Sequence, residues 1–92
     1  MAYTTEQIAA EIKALIAKVS EREPDEISDT AHYQEELGID SLMGMEIMIA
    51  VDRKFKIDIP EEEFAQANCV NQSVALVQKW LAAKEAMALA PA

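Results

Sequence analysis

A chain of 92 residues suits one small domain and leaves no room for a second core. Hydrophobic residues make up 51% and charged residues 27%, while only two glycines and three prolines interrupt a mixture rich in helix formers, so the chain folds and favours helices. Eight basic residues against seventeen acidic ones give a net charge of −9, which argues against nucleic acid and anionic lipid as partners. The same acidity either steers the domain toward basic partners or only keeps it soluble, and composition does not choose between the two.

The opening MAYTTEQIAAEI lacks the basic start and apolar core of a signal peptide, and no apolar run approaches the roughly 20 residues of a membrane span. Cys69 is the one cysteine, so no intrachain disulfide can form; a cytoplasmic setting and a buried structural thiol are expected. Met1 fits a free-standing protein, although an excised domain given a start codon would read the same.

The first helix is expected over about residues 5 to 20. Thr4 and Gln7 fit a capping box, and Ile8, Ile12, Leu15, Ile16 and Val19 form one helical stripe. Glu23-Pro24 is the expected stop, because a residue before proline avoids the α region. Residues 21 to 40 then make a long acidic connection. Its apolar anchors, Ile27, Tyr33, Leu37 and Ile39, predict an ordered loop with at most a short turn of helix, and Gly38 supplies backbone freedom before the next element.

The second helix is expected from Asp40 or Ser41, both good N-cap types, to about Phe55. Gly44, Ile47, Met48, Val51 and Phe55 share one side and read as core. Leu42, Met45, Glu46, Ile49, Asp52 and Arg53 share the other, a mixed apolar and charged face suited to a partner. Pro60 and the glutamates behind it predict a short third helix within 61 to 68. A fourth helix, capped by Asn68 or Asn71, carries Val70, Val74, Val77 and Leu81 as its stripe, with Trp80 at the core edge. The tail AMALAPA, residues 86 to 92, is expected to fray, leaving residues 1 to 85 as the domain. The fold class is all-α: a monomeric four-helix bundle of three longer helices and one short, with a long first connection.

Little chemistry is available to such a chain. A serine hydrolase needs a base and an oxyanion hole, yet His32 is the one histidine and Gly38-Ile39-Asp40-Ser41 is no nucleophile elbow. Asp52, Asp58 and Glu63 fall at positions 1, 7 and 12 of an EF-hand loop, but Lys54 and Lys56 stand where ligands are required. His32 and Glu36 make at best an incomplete metal pair, and His32 reads as a solvated loop residue, so no metal is expected. Ser41 is left as a helix cap or as a residue that is modified, since a helix N-terminus suits an attached phosphate.

The stretch LGIDSLMGMEI, residues 37 to 47, resembles the acyl carrier protein motif, in which Asp-Ser-Leu opens the second helix. The likeness extends through Glu46, Phe55, Ile57-x-Ile59-Pro60 and the segment Pro24-Asp25-Glu26-Ile27. It implies a non-catalytic carrier with 4′-phosphopantetheine on Ser41, flanked by Asp40 and Leu42. A phosphopantetheinyl transferase would install the arm from coenzyme A. Acyltransferases, ketosynthases and other synthase enzymes would then dock on Leu42, Met43, Met45, Glu46, Ile49, Asp52 and Arg53. Met43 and Gly44 behind Asp-Ser-Leu, and Asp52-Arg53-Lys54 in place of a glutamate run, point to polyketide or specialised fatty-acid synthesis. The housekeeping fatty-acid carrier, a peptidyl carrier and an unmodified helical adaptor remain as alternatives.

Overall fold

The structure, a computed structural model, describes residues 3–89. Four α-helices appear in the order expected: α1 (Thr5–Ser20), α2 (Ser41–Phe55), the single-turn α3 (Glu61–Phe64) and α4 (Val70–Leu89). The Thr4 hydroxyl accepts from the Gln7 N–H at 3.0 Å and the Gln7 side chain accepts from the Thr4 N–H at 2.9 Å, so the capping box that starts α1 is complete.

The stop of α1 lies earlier than the proline. Glu21 enters the left-handed region at φ 57°, and the Arg22 N–H closes onto the Ala17 carbonyl at 2.9 Å. Pro24 instead opens a 3-10 turn over Pro24–Glu26. Lys56 ends α2 in the same way, at φ 56°, with the Ile57 N–H on the Asp52 carbonyl at 3.0 Å. Gly38, at φ 66°, supplies the one left-handed glycine, at the entry to α2.

Packing is organised by α1, which lies against both α2 and α4, while α3 leans on α4. Ile8, Ile12 and Ile16 are buried against Ile47, Val51 and Phe55 of α2 and Val70, Val74 and Val77 of α4 in one apolar core. Leu15, Val19, Trp80 and Leu81 are half-buried at its edge. All four loop anchors, Ile27, Tyr33, Leu37 and Ile39, are buried, so the long connection is part of the core despite its eight carboxylates.

Neither asparagine occupies the cap position of α4, since the helix starts at Val70 directly after Cys69; both instead hold that connection through their backbones. The Asn68 carbonyl accepts from the Tyr33 N–H at 2.8 Å, and the Asn71 N–H donates to the Asp29 carbonyl at 3.0 Å. Cys69 precedes the helix, half-buried rather than fully buried, and Gln72 reaches back to accept from the Asn68 N–H at 2.7 Å. Residues 86–89 of the expected tail continue α4, and residues 90–92 lie outside the described residues. No helix among the described residues is long and apolar enough to cross a membrane.

Candidate functional site at the head of α2

The N-cap of α2 is Asp40, not Ser41. Its carboxylate accepts from the Met43 N–H at 2.9 Å and its carbonyl from the Gly44 N–H at 2.9 Å. Ser41 is therefore relieved of capping, and its side chain stands exposed on the first turn. The first N–H groups of a helix have no intrahelical acceptor; Met43 and Gly44 are satisfied by Asp40, while those of Ser41 and Leu42 have no acceptor among the described residues. Partial positive charge there favours a phosphate ester.

Ser41 also borders a groove of about 270 Å³ between α2, the loop around residues 32 to 40 and the α3–α4 connection. Gly44 and Met48, expected in the core, are half-buried, Met48 packed against the core's edge, and both line this groove together with Met45, Ile39 and Phe64. At Gly44 a side chain would meet no atom within 4 Å, so the missing side chain opens the space one helical turn beyond Ser41. The serine, the groove and the free helix end are thus one site, with room for a flexible chain anchored at the hydroxyl.

The Ser41 hydroxyl makes no hydrogen bond to a side chain among the described residues. His32 lines the same groove, but its Nδ1 accepts from the Glu35 N–H at 3.2 Å. It is half-buried rather than solvated, and its own backbone N–H donates to the Glu36 carboxylate at 2.6 Å, which makes the two residues a turn cap and not a metal pair. Among the described residues no group of three or more His, Cys, Asp or Glu could hold a metal ion.

The residues expected to meet partners divide in two. Leu42 at 67%, Ile49 at 46% and Met45 at 44% exposure form an apolar strip, with Glu46 and Arg53 exposed beside it. Met43, by contrast, is half-buried against the core, and Asp52 is half-buried with its carboxylate accepting from the Ile59 N–H at 3.2 Å. Burial pushes the Asp52 carboxyl above its usual range, a shift the Ile59 bond opposes and Asp58 reinforces. Asp52 is first a clasp for the turn after α2. Lys54 pairs with Glu11 of α1 at 3.4 Å, so Arg53 is the outer-face cation without an ion pair among the described residues. His32, Gln34, Phe64 and Asn68 escaped the sequence reading of the site, because nothing in their spacing announces that a loop folds back onto α2.

Comparison with known proteins accords with this geometry. The family described as the phosphopantetheine attachment site matches residues 10–77. An acyl carrier protein of Rhodococcus erythropolis is 34% identical over 79 residues, covering 86% of this chain and 87% of the relative. The meromycolate extension acyl carrier protein of Mycolicibacterium smegmatis is 35% identical over 79 residues, with 86% and 80% covered. The structure of the Enterococcus faecalis acyl carrier protein superposes with a TM-score of 0.71 at 20% identity, over 85% of this chain and 99% of the other, a likeness of fold. The chain belongs to the phosphopantetheine attachment site family, among the acyl carrier proteins.

Proposed function

We infer that Ser41 is the residue that bears the prosthetic arm, and that the domain serves a specialised fatty-acid or polyketide pathway. As a member of its family the protein is a carrier rather than a catalyst, with covalently bound 4′-phosphopantetheine. That group supplies a terminal thiol on which acyl chains ride as thioesters. The observation that supports Ser41 is its release from capping: Asp40 takes that duty, leaving an exposed side chain at the helix N-terminus that borders a groove. Asp40 fixes the helix end, and Leu42 flanks the attachment point as the most exposed large apolar residue of the strip.

Family membership brings a phosphopantetheinyl transferase and synthase enzymes as partners. We place their docking on Leu42, Met45, Glu46, Ile49 and Arg53, with Met43 and Asp52 as supports beneath. Relatives named for meromycolate extension favour specialised chain extension, as does the cation Arg53 on the outer face. The Rhodococcus relative, named simply as an acyl carrier protein, favours the housekeeping alternative. A monomer working in the cytoplasm suits diffusional delivery, where the tether raises the effective concentration of cargo at each docked enzyme.

Intact mass after coexpression with a phosphopantetheinyl transferase tests the attachment point. The wild-type protein should gain one phosphopantetheine and Ser41→Ala none, while circular dichroism stays unchanged because Asp40 keeps the cap. A modified Ser41→Ala protein would remove Ser41 from the proposal.

A further inference from the structure

A second groove runs along the other flank of α2. It is shallow, of about 500 Å³, and lies between α1 and α2, lined by Leu15, Glu46, Ile49, Ala50, Arg53 and Lys54. At roughly 100° per residue, Ala50 and Met48 point about 160° apart on the helix, so this groove and the one beside Ser41 lie on opposite flanks. Leu15 and Ala50 are half-buried in it, and Ile49 is exposed beside them. Its charges are of both signs. Lys54 is paired with Glu11 of α1, whereas Glu46 and Arg53 are exposed and make no ion pair among the described residues. Glu46, Ile49 with Ala50, and Arg53 follow one another at steps of three or four residues, which spreads the two unpaired charges over roughly 10 Å. A second helix laid alongside presents side chains at the same steps, i, i+3 or i+4, and i+7.

We propose that this α1–α2 groove docks an amphipathic helix of a partner protein, one apolar side chain of which seats on Leu15, Ile49 and Ala50 between a carboxylate that meets Arg53 and a cation that meets Glu46. The proposal rests on α2 as the docking helix and names what a partner must bring to it. The apolar seat supplies burial, and the two unpaired charges set the register, because a like charge opposite either one is repelled. A partner helix that offers only cations meets repulsion at Arg53, and one that offers only carboxylates meets it at Glu46. A seat of this size gives a weak, short-lived contact, as a carrier that must leave each enzyme requires. Ser41 lies about 18 Å along α2 from Arg53 and borders the other groove, so a helix held here leaves the proposed attachment point uncovered.

The test titrates the full chain, labelled with nitrogen-15, with three alanine-rich helical peptides of about 20 residues. The first carries glutamate, leucine and lysine at i, i+4 and i+7; the second replaces the leucine by serine, and the third the glutamate by lysine. The first should bind with a submillimolar dissociation constant and shift the amides of Leu15, Ile49, Ala50 and Arg53, while those of His32, Gly44 and Asn68 beside the other groove stay in place. The serine peptide should bind several-fold more weakly. Arg53→Glu should reverse the order of the first and third peptides, each changing by up to about fivefold, the range of an exposed charge pair. Leu15→Ala should weaken the first peptide; because Leu15 also packs on the core, Ile49→Ser at an exposed position repeats the measurement without disturbing the fold. Ser41→Ala should bind as the wild type does, so the result is independent of the attachment point. No binding below about 1 mM of the first peptide, shifts centred on Gly44 and Asn68, or an order of peptides that Arg53→Glu leaves unchanged overturns the proposal. If Leu42→Ala and Met45→Ala still slow synthase turnover in that case, α2 stands as the docking helix and the groove alone is struck.

Discussion

Tyr33 and Ser73 offer the sharpest test of how the acidic connection is held. Their hydroxyls meet at 2.6 Å in the core, 40 residues apart in sequence, and Ser73 is only 1% exposed. Tyr33→Phe keeps the ring and opens no cavity, so its cost is that of one lost bond and one orphaned hydroxyl. An unsatisfied buried group costs about 1–3 kcal/mol. Ser73 can turn its hydroxyl onto a carbonyl one helical turn back, which places the expected loss near the lower end, at about 1–2 kcal/mol. For a domain of this size each kcal/mol lowers the melting temperature by roughly 4–8 °C. Removing both groups in Tyr33→Phe/Ser73→Ala leaves no orphan, so the double variant should lose less than the sum of the singles. Urea titrations of the four proteins measure this coupling. Alkaline pH gives an independent reading. Burial pushes the Tyr33 phenol above its usual range, an effect the Ser73 bond opposes and Cys69 reinforces. Once pH rises past about 10 the unfolded chain sheds a proton that the folded one keeps, so stability falls there with increasing pH, and Tyr33→Phe should flatten that fall. Additive single losses together with an unchanged alkaline limb would refute the account.

Ile47 and Val51 are buried in the core, so Ile47→Ala should cost roughly 2–5 kcal/mol and Val51→Ala somewhat less, whereas exposed Met45→Ala should cost least and slow synthase turnover instead; a thermal-melt ranking with Met45 first would refute this. Asp52→Asn should be neutral or mildly stabilising at pH 7, because an amide oxygen still accepts from the Ile59 N–H without a buried charge, while Asp52→Ala should destabilise by about 1 kcal/mol. The Lys79 ammonium, 2.7 Å from Glu63, holds the Glu63 carboxyl below its usual range; desolvation opposes it, and the Trp80 N–H adds a lesser lowering. That support is present above the carboxylate's unfolded range and is lost as pH falls through its folded one, so Glu63→Gln should weaken the acid limb of a stability–pH curve and leave the alkaline limb unchanged. Arg53→Glu should change acceptance by synthase enzymes several-fold, and less so above about 0.15 M salt, where the Debye length drops to roughly 8 Å; equal acylation rates at low salt would exclude Arg53 from partner choice.

The helices were legible because their signals are local. The capping box at Thr4, the stripe of Ile8, Ile12 and Ile16, and the proline before Glu61 each act within a few residues, and α1 and α2 took the expected bounds. Asp40 and Ser41 are equivalent caps on paper; the carboxylate that reaches the Met43 N–H resolves them only in three dimensions. Helix ends were less legible: left-handed Glu21 and Lys56 carry no glycine signature, and a helical stop without glycine depends on the bonds made by the next residue. The start of α4 at Val70 leaves Asn68 and Asn71 on either side of the cap position, and their backbones pair with Tyr33 and Asp29 from a distant part of the chain, a register that local spacing does not reveal. The groove lies beyond periodicity for the same reason: helical spacing assigns Gly44 and Met48 to the inner side of α2, but whether core or open space faces them depends on where a 20-residue loop settles.

That loop also explains why the protein carries chemistry without performing it. A nucleophilic serine requires a base within hydrogen-bond reach, and the base in turn an orienting partner. Here the imidazole that borders the groove with Ser41 spends its Nδ1 lone pair on the Glu35 backbone, and a neutral ring so held presents a donor at Nε2, not an acceptor. Asp40, the adjacent carboxylate, is committed to the Met43 N–H. The imidazole Nδ1 and one Asp40 carboxylate oxygen are thus spent on the backbone. Ser41 is left accessible, which suits the attachment point proposed for it: a hydroxyl that an outside transferase can modify.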